Sequence, residues 1–425
     1  MKQHLHEILT AILMLCMFST ACGVGKVTSS QLERNTHPDT NNENQSTLVS
    51  GNTAFAFDLY QAIRTSAGNQ VFSPYSISLA FAMAYGGASG ETANQMANVL
   101  QYTLPAGKLH PAFNALDLDI SHRPEQASGV DEEDRFELTI ANSIWGQRNW
   151  TFLPGFLDLL ATNYGAGMRL VNFENGTEDA RRQINAWVSD QTKKRIQDII
   201  PAGAIDPRTR LVLANAIYFK ATWEYKFSAN STTQKPFHLL DGEPVNVSMM
   251  AETSMRLNYA SGKNWQAVSL PYKGGMTDML IILPEAGDFE SFMSELEVEV
   301  FNKIVTEMQP QMVDLSLPKF KFETLLTLKN SLIEMGMSDA FDENLADFSG
   351  MDAQHRLFIS DALHKAFIAV DEKGTEAAAA TVVMMAPASL PPEAIKLSID
   401  RPFFFAIRDV PTGSILFMGR VVDPR

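Results

Sequence analysis

Apolar positions along this 425-residue chain change period several times, and the changes predict where elements begin and end. Phe55, Leu59, Ala62 and Ile63 recur at helical spacing, and Gly68-Asn69 closes the segment with turn chemistry, so a first helix is expected there. Residues 71–85 hold a second, with Ser73 suited to cap it and Pro74 to its first turn. Residues 136–145 alternate and are rich in β-formers, which predicts a strand; residues 184–192 with Ile196 read as an amphipathic helix. The run 211–220 is apolar almost throughout, as a strand buried on both faces must be. Stretches 245–250, 265–271, 279–283 and 313–322 are apolar or alternating between Gly or Pro residues, and predict further strands. Leu325, Leu328, Leu332 and Met335 form a helical stripe closed by Gly336. Mixed elements without regular βαβ alternation favour an α+β fold.

The amino terminus follows other rules. Lys2, an apolar stretch at 8–18 and small residues at 19–23 give the basic start, short core and cleavage site of an export signal over residues 1–21. It is too short to span a membrane and stay. Cleavage after Ala21 suits both an ordinary signal peptidase and a bacterial lipoprotein box; in the second case Cys22 becomes the lipidated first residue and Gly23 looks like an outer-membrane address. Ser19 departs from that box, where a leucine is usual. Residues 22–50 are mostly Ser, Thr, Asn, Gln and charges, and are expected to form a flexible tether before a domain at 51–425.

Cys16 and Cys22 are the only cysteines, so no disulfide framework exists. A net charge of -15 and a pI near 5.0 argue against nucleic acid, which needs a concentrated basic face. The charge runs 131–134 and 193–195 read as solvated surface. His37, His110, His122, His238, His355 and His364 show no metal-binding spacing, and no Gly-x-Ser-x-Gly elbow occurs, so neither a metal site nor a cofactor is expected. Residues 86–92 have the glycines of a phosphate cradle without its lysine, and read as a helix end with a turn. A catalytic triad assembled by folding stays open at this level.

Residues 372–381 read Glu-Lys-Gly-Thr-Glu-Ala-Ala-Ala-Ala-Thr, followed by Val-Val-Met-Met and then Pro387-Ala388-Ser389. Such a segment, small first and β-branched later, can lie exposed or enter a sheet as a strand. With Thr375 facing inward, the strand period puts Ala377, Ala379 and Thr381 inward too, and Glu376, Ala378 and Ala380 outward. Taken alone, four alanines would equally suit a helix.

Around this segment stand Ser73-Pro74, Leu213-Ala-Asn215-Ala-Ile-Tyr-Phe-Lys220, Trp223, Phe227, Met249-Met250, Leu317-Pro318-Lys319-Phe320, Leu345-Ala-Asp347-Phe348-Ser349-Gly350, His364-Lys365-Ala366 and Arg401-Pro402-Phe403. From Asn52 to Pro424 the chain resembles the serpins, and with its leader a bacterial secreted or lipoprotein member of that family. The resemblance implies a fold of three β-sheets and about nine helices with an exposed reactive-centre loop near 372–392. It implies a monomeric, metastable inhibitor of serine proteases rather than an enzyme, acting once through acyl-enzyme trapping and loop insertion. Glu372, Gly374, Thr375, Glu376, Ala377, Ala378, Ala379, Ala380 and Thr381 would be its hinge, and Ser73, Ser76, Asn215, Trp223, Lys319 and His364 its sheet gate.

Counted as serpin loops are counted, the reactive bond falls between Ala388 and Ser389, and an alanine bait suits an elastase-like protease with a shallow primary pocket. Cleavage at Met384 or Met385 would instead suit a chymotrypsin-like enzyme, and papain-like targets stay open. The competing class is a serpin-like binding protein that has lost inhibition. Apart from a lipid anchor at Cys22, no membrane partner is expected, and the protein would work at the cell envelope or outside the cell.

Overall fold

The computed structural model describes residues 26–127, 129–352, 354, 357–375 and 394–425. In chain order the first half holds β1 (Lys26–Thr28), α1 (Asn42–Ile63), β2 (Gln70–Phe72), α2 (Pro74–Tyr85), α3 (Gly90–Val99), α4 (Ala106–Gln126), β3 (Glu137–Gln147), α5 (Pro154–Tyr164), β4 (Met168–Val171), α6 (Phe173–Gln191) and β5 (Leu211–Thr222). The second half is strand-rich: β6 (Thr233–His238), β7 (Pro244–Ser261), β8 (Trp265–Pro271), β9 (Thr277–Pro284), α7 (Phe289–Glu295), α8 (Val298–Glu307), β10 (Gln309–Pro318), β11 (Phe320–Thr327), α9 (Leu328–Glu334), β12 (Ile359–Asp371), β13 (Gly374–Thr375), β14 (Ile395–Ser398), β15 (Phe403–Asp409) and β16 (Ile415–Val421).

Hydrogen bonding joins these strands into a seven-stranded sheet, β1-β4-β3-β5-β13-β12-β11, and a nine-stranded one, β14-β10-β7-β8-β9-β15-β16-β2 with β6 on β7. The second contains two strand groups continuous through the 18-residue β7, which pairs with β6 over its first half and β8 over its second. Between them β7 carries a bulge: its register with β10 shifts near Val313, and Ser254 takes a positive φ of 55°. The principal core lies between the sheets, where Phe320 meets Phe403 at 5.8 Å and Tyr60 of α1 meets Phe404 edge-on at 5.7 Å. A separate cluster around Trp145, Trp187, Val212 and Ala214 fills the space between α6 and the other face of the seven-stranded sheet. With both faces covered, β5 has almost no polar position, which accounts for its apolar run.

Three expectations need correction. Residues 26–50 are not a free tether. β1 pairs antiparallel with β4, Arg34 binds Asp117 at 2.7 Å and Asn114 at 2.8 Å, Ser30 donates to Asp158, and Asn41 caps α1 twenty-two residues long, in which Leu48 and Val49 are buried. Polar composition concealed this because the segment is held by side-chain hydrogen bonds and a strand edge. The expected strand 313–322 is two strands in different sheets, broken at Pro318, which has no N–H to continue the ladder, and Lys319. Leu325 belongs to β11, where it is 38% exposed, and the helix behind it begins only at Leu328. Two predicted helices also begin earlier than their apolar stripes: α1 at Asn42, and α6 at Phe173 with a kink at Gly176. No helix of the described residues is long and apolar enough to cross a membrane.

Candidate functional site: a seam in the seven-stranded sheet

β5 and β12 run parallel, and their ladder joins Leu211 through Ile217 to Ile359 through Ala366. There it stops. Four residues further on, β13 stands between the two strands, antiparallel to both: Thr375 pairs with Ala221 and Val370, and Gly374 with Thr222 and Asp371. The same two neighbours are thus bonded to each other along one half of the seam and held apart at the other end.

Beneath the closed half sits a buried polar cluster at the start of α2. Ser73 caps that helix by accepting from the Ser76 N–H at 3.1 Å, and the Ser73 N–H donates to His364 Nε2 at 3.0 Å. With Nε2 accepting, the ring proton is on Nδ1, which faces the side-chain oxygen of Asn215, the register partner of His364 across the seam. The Asn215 amide donates to the Ser76 carbonyl at 2.8 Å, to Ser76 Oγ at 2.6 Å and to Asn142 Oδ1. His364 is fully buried, and burial alone pushes its pKa down to about 3. The imidazole is therefore neutral at physiological pH, as the accepted Ser73 bond demands.

At the parted end the chain between β12 and β13 is clamped from below. The Trp223 backbone N–H donates to the Lys373 carbonyl at 2.7 Å, its indole Nε1 to the Asp371 carbonyl at 3.0 Å, and the Phe227 N–H to the Glu372 carbonyl at 2.8 Å. Trp223 stacks flat on Tyr272 at 4.5 Å and 9°, and Tyr272 Oη meets Thr375 Oγ1 at 2.7 Å. Thr375 is 1% exposed, its side chain inside. A side chain at Gly374 would overlap the Ala221 carbonyl and lie 2.8 Å from Thr222 Cα, so only glycine lets the hinge approach β5 this closely. Lys319 Nζ pairs with Glu372 Oε2 at 2.7 Å, and Thr232 Oγ1 donates to Glu372 Oε1 at 2.8 Å. Partial burial would raise the Glu372 carboxyl, but the bonds from Lys319 and Thr232 outweigh it and the net shift is downward.

The six gate residues form two groups. Ser73, Ser76, Asn215 and His364 meet under the closed seam; Trp223 and Lys319 gather with Glu372 at the parted end. Glu376, Ala377, Ala378, Ala379, Ala380, Thr381, Ala388, Ser389 and Cys22, with Met384 and Met385, lie outside the described residues. Asn142 and Tyr272 were missed. Asn142 had a signal: it takes an apolar phase of β3 between Ile140 and Ile144, where a polar side chain needs a partner. Tyr272 had none, since its stacking on Trp223 exists only after β8 and β5 are brought together.

The sheet is thus mixed, and its two central strands are parted at one end by β13. Residues 50–424 match the family described as serpin (serine protease inhibitor), and the chain belongs to that family. It is 38% identical over 385 residues to the leukocyte elastase inhibitor of Xenopus laevis, covering 89% of this chain and 99% of that protein. It is 37% identical over 387 residues to the human leukocyte elastase inhibitor, and 39% identical over 381 residues to an uncharacterized serpin-like protein of Thermococcus kodakarensis, of which 86% is covered. Among solved structures, the native state of tengpin, a thermophilic serpin, superposes with a TM-score of 0.81 at 28% identity, covering 94% of this chain and all of that one. Uncleaved ovalbumin gives 0.77 at 26%, covering 89% of this chain. The leukocyte elastase inhibitors and the Thermococcus protein are eukaryotic and archaeal, and give no support to the narrower likeness to bacterial secreted or lipoprotein members.

Proposed function

We propose that the protein inhibits a serine protease with a shallow, elastase-like primary pocket, as a substrate that is cut once and then traps its enzyme. The observation that carries this reading is β13, seated between β5 and β12 and antiparallel to each. A strand prolonged from Thr375 in that direction would point down the seam toward Ile217 and Ala366, where the ladder is closed. The protease serine attacks the Ala388 carbonyl, the amine of Ser389 leaves, and the freed loop zips in with the acyl-enzyme attached. Each new backbone bond contributes roughly 0.5 to 1.5 kcal/mol, so about ten residues bonded on both sides release on the order of 10 kcal/mol. The native state is then held by a kinetic barrier, and the closed half of the seam supplies it. Names of relatives such as leukocyte elastase inhibitor agree with the alanine bait.

The test is a denaturing gel after mixing with a pancreatic-type elastase. A band at the summed mass, with cleavage mapped after Ala388, is expected. Clean cleavage without that band, or hydrolysis of a small ester, would refute trapping.

The protein is also proposed to be exported, with Cys22 as its acylation site. Because β1 begins at Lys26, the four intervening bonds span at most about 14 Å, so a lipid at Cys22 holds the domain against the bilayer instead of away from it. Incorporation of labelled palmitate that survives Cys22→Ser would rule this anchor out.

A further inference from the structure

On the α6 face of the seven-stranded sheet, two tryptophans hold a guanidinium that no carboxylate of the described residues neutralises. Arg169 of β4 lies 4.5 Å from the Trp187 ring centroid on α6 and 5.6 Å from that of Trp145, its register partner on β3. Among the described residues no acidic side chain comes within ion-pair distance of it. Burial already disfavours its charge, lowering its pKa. Trp187 adds a second unmet group: it is 6% exposed, and its indole Nε1 is buried with no hydrogen-bond partner.

Both residues line one cavity of about 630 Å³. It opens where the ladder between β3 and β4 ends, since only Trp145 to Gln147 of β3 are paired with β4. Asn142 and Ser143 of β3 and Gln191 of α6 add polar groups to its wall, and residues 27–34 close one side. The other charges there do not cancel Arg169. Arg34 is committed to Asp117 at 2.7 Å, and Glu33 is exposed with no ion pair to the guanidinium.

We propose that this cavity binds a small organic carboxylate. A guanidinium stacked on an indole keeps its planar edge free, and that edge matches the two oxygens of a carboxylate in a bidentate pair. The unmet indole N–H supplies one more donor, and the space is far larger than a bare inorganic ion needs. The aromatic wall favours a ligand with a flat body. The proposal is independent of protease trapping, and its test reads binding alone.

Titrating the intact protein with sodium benzoate at constant ionic strength, by calorimetry and tryptophan fluorescence, should give saturable one-to-one binding with a fluorescence change from the stacked pair. Arg169→Gln should weaken it by at least about tenfold, as expected for removing a charge-assisted pair, while Glu33→Gln retains it. Should Arg169→Gln fail to fold, Trp187→Phe keeps an aromatic ring and removes the N–H, and should weaken binding severalfold. No saturable binding of benzoate up to about 50 mM, or affinity unchanged in Arg169→Gln and Trp187→Phe, overturns the site.

Discussion

The two ends of the β5–β12 seam are made of the same two strands and are held by opposite means. Along Leu211 to Ile217 the strands bond each other directly, over a fully buried polar cluster with a neutral histidine at its centre. At the other end they bond an intruding strand two residues long, fixed by one glycine, one threonine, an aromatic stack and a partly exposed ion pair. The closed half is stabilised by burial and complete hydrogen bonding. The parted half is stabilised by contacts that tolerate a strand. The proposed trapping mechanism needs both, because insertion would have to be allowed to begin and yet be resisted from going further.

The sharpest way to break the contrast is to spoil entry at the parted end. Thr375→Arg forces a cation into a position that is 1% exposed and faces Tyr272. Stable complex with elastase should fall by more than about tenfold while cleavage continues, since the bait is untouched. Undiminished complex on a denaturing gel would mean that the loop does not enter at β13.

Next comes the closed half. His364→Ala leaves the Ser73 N–H and the Asn215 oxygen without partners in a buried site, a cost on the order of 3 kcal/mol in urea unfolding. Acid should act on the same group. His364 has its folded pKa lowered to about 3 from 6.5, so the unfolded chain takes up a proton first, and stability falls as pH drops below 6.5. The slope is about 1.4 kcal/mol per pH unit, and His110, lowered by burial to about 4, acts with the same sign. His364→Ala should therefore halve the acid slope without abolishing it; an unchanged slope between pH 6 and 5 would locate the sensitivity elsewhere.

How far the sequence foretold these two halves differs for a physical reason. β5 and the helix capped by Ser73 were legible because burial on both faces and a cap leave marks within one segment. Lys319 with Glu372, and Asn215 with His364, are pairs more than fifty residues apart, and only the family resemblance drew attention to them. The strap at 26–41 escaped because periodicity detects buried apolar faces, and this segment binds by β1 pairing and by Arg34. The apolar pair Leu48 and Val49 was the one local warning that its continuation was folded.

A smaller effect separates the hinge from its bed. Tyr272→Phe keeps the stack on Trp223 and removes only the bond to Thr375 Oγ1. It should cost about 1 kcal/mol and speed amide hydrogen exchange at Thr375 without changing exchange at Asn215. Equal acceleration at both sites would show the two halves to be one cooperative unit.

Smallest of all is the ion pair at the rim. In Lys319→Gln, Glu372 keeps the Thr232 bond but loses its cation; the Lys319 side chain is 38% exposed, so the pair contributes about 1 kcal/mol or less, diminishing with added salt. The sign with pH is the same as that of His364, but the effect lies at lower pH. The Glu372 carboxyl is depressed below its ordinary range, so its contribution is complete at neutral pH and is lost only as pH falls through the range below about 4.5. Urea midpoints at pH 7 should therefore show a small salt-dependent deficit in Lys319→Gln that vanishes at pH 3. A deficit as large as that of His364→Ala, or one indifferent to salt, would mean that the rim is buried in the working molecule and that the parted end is locked as firmly as the closed one.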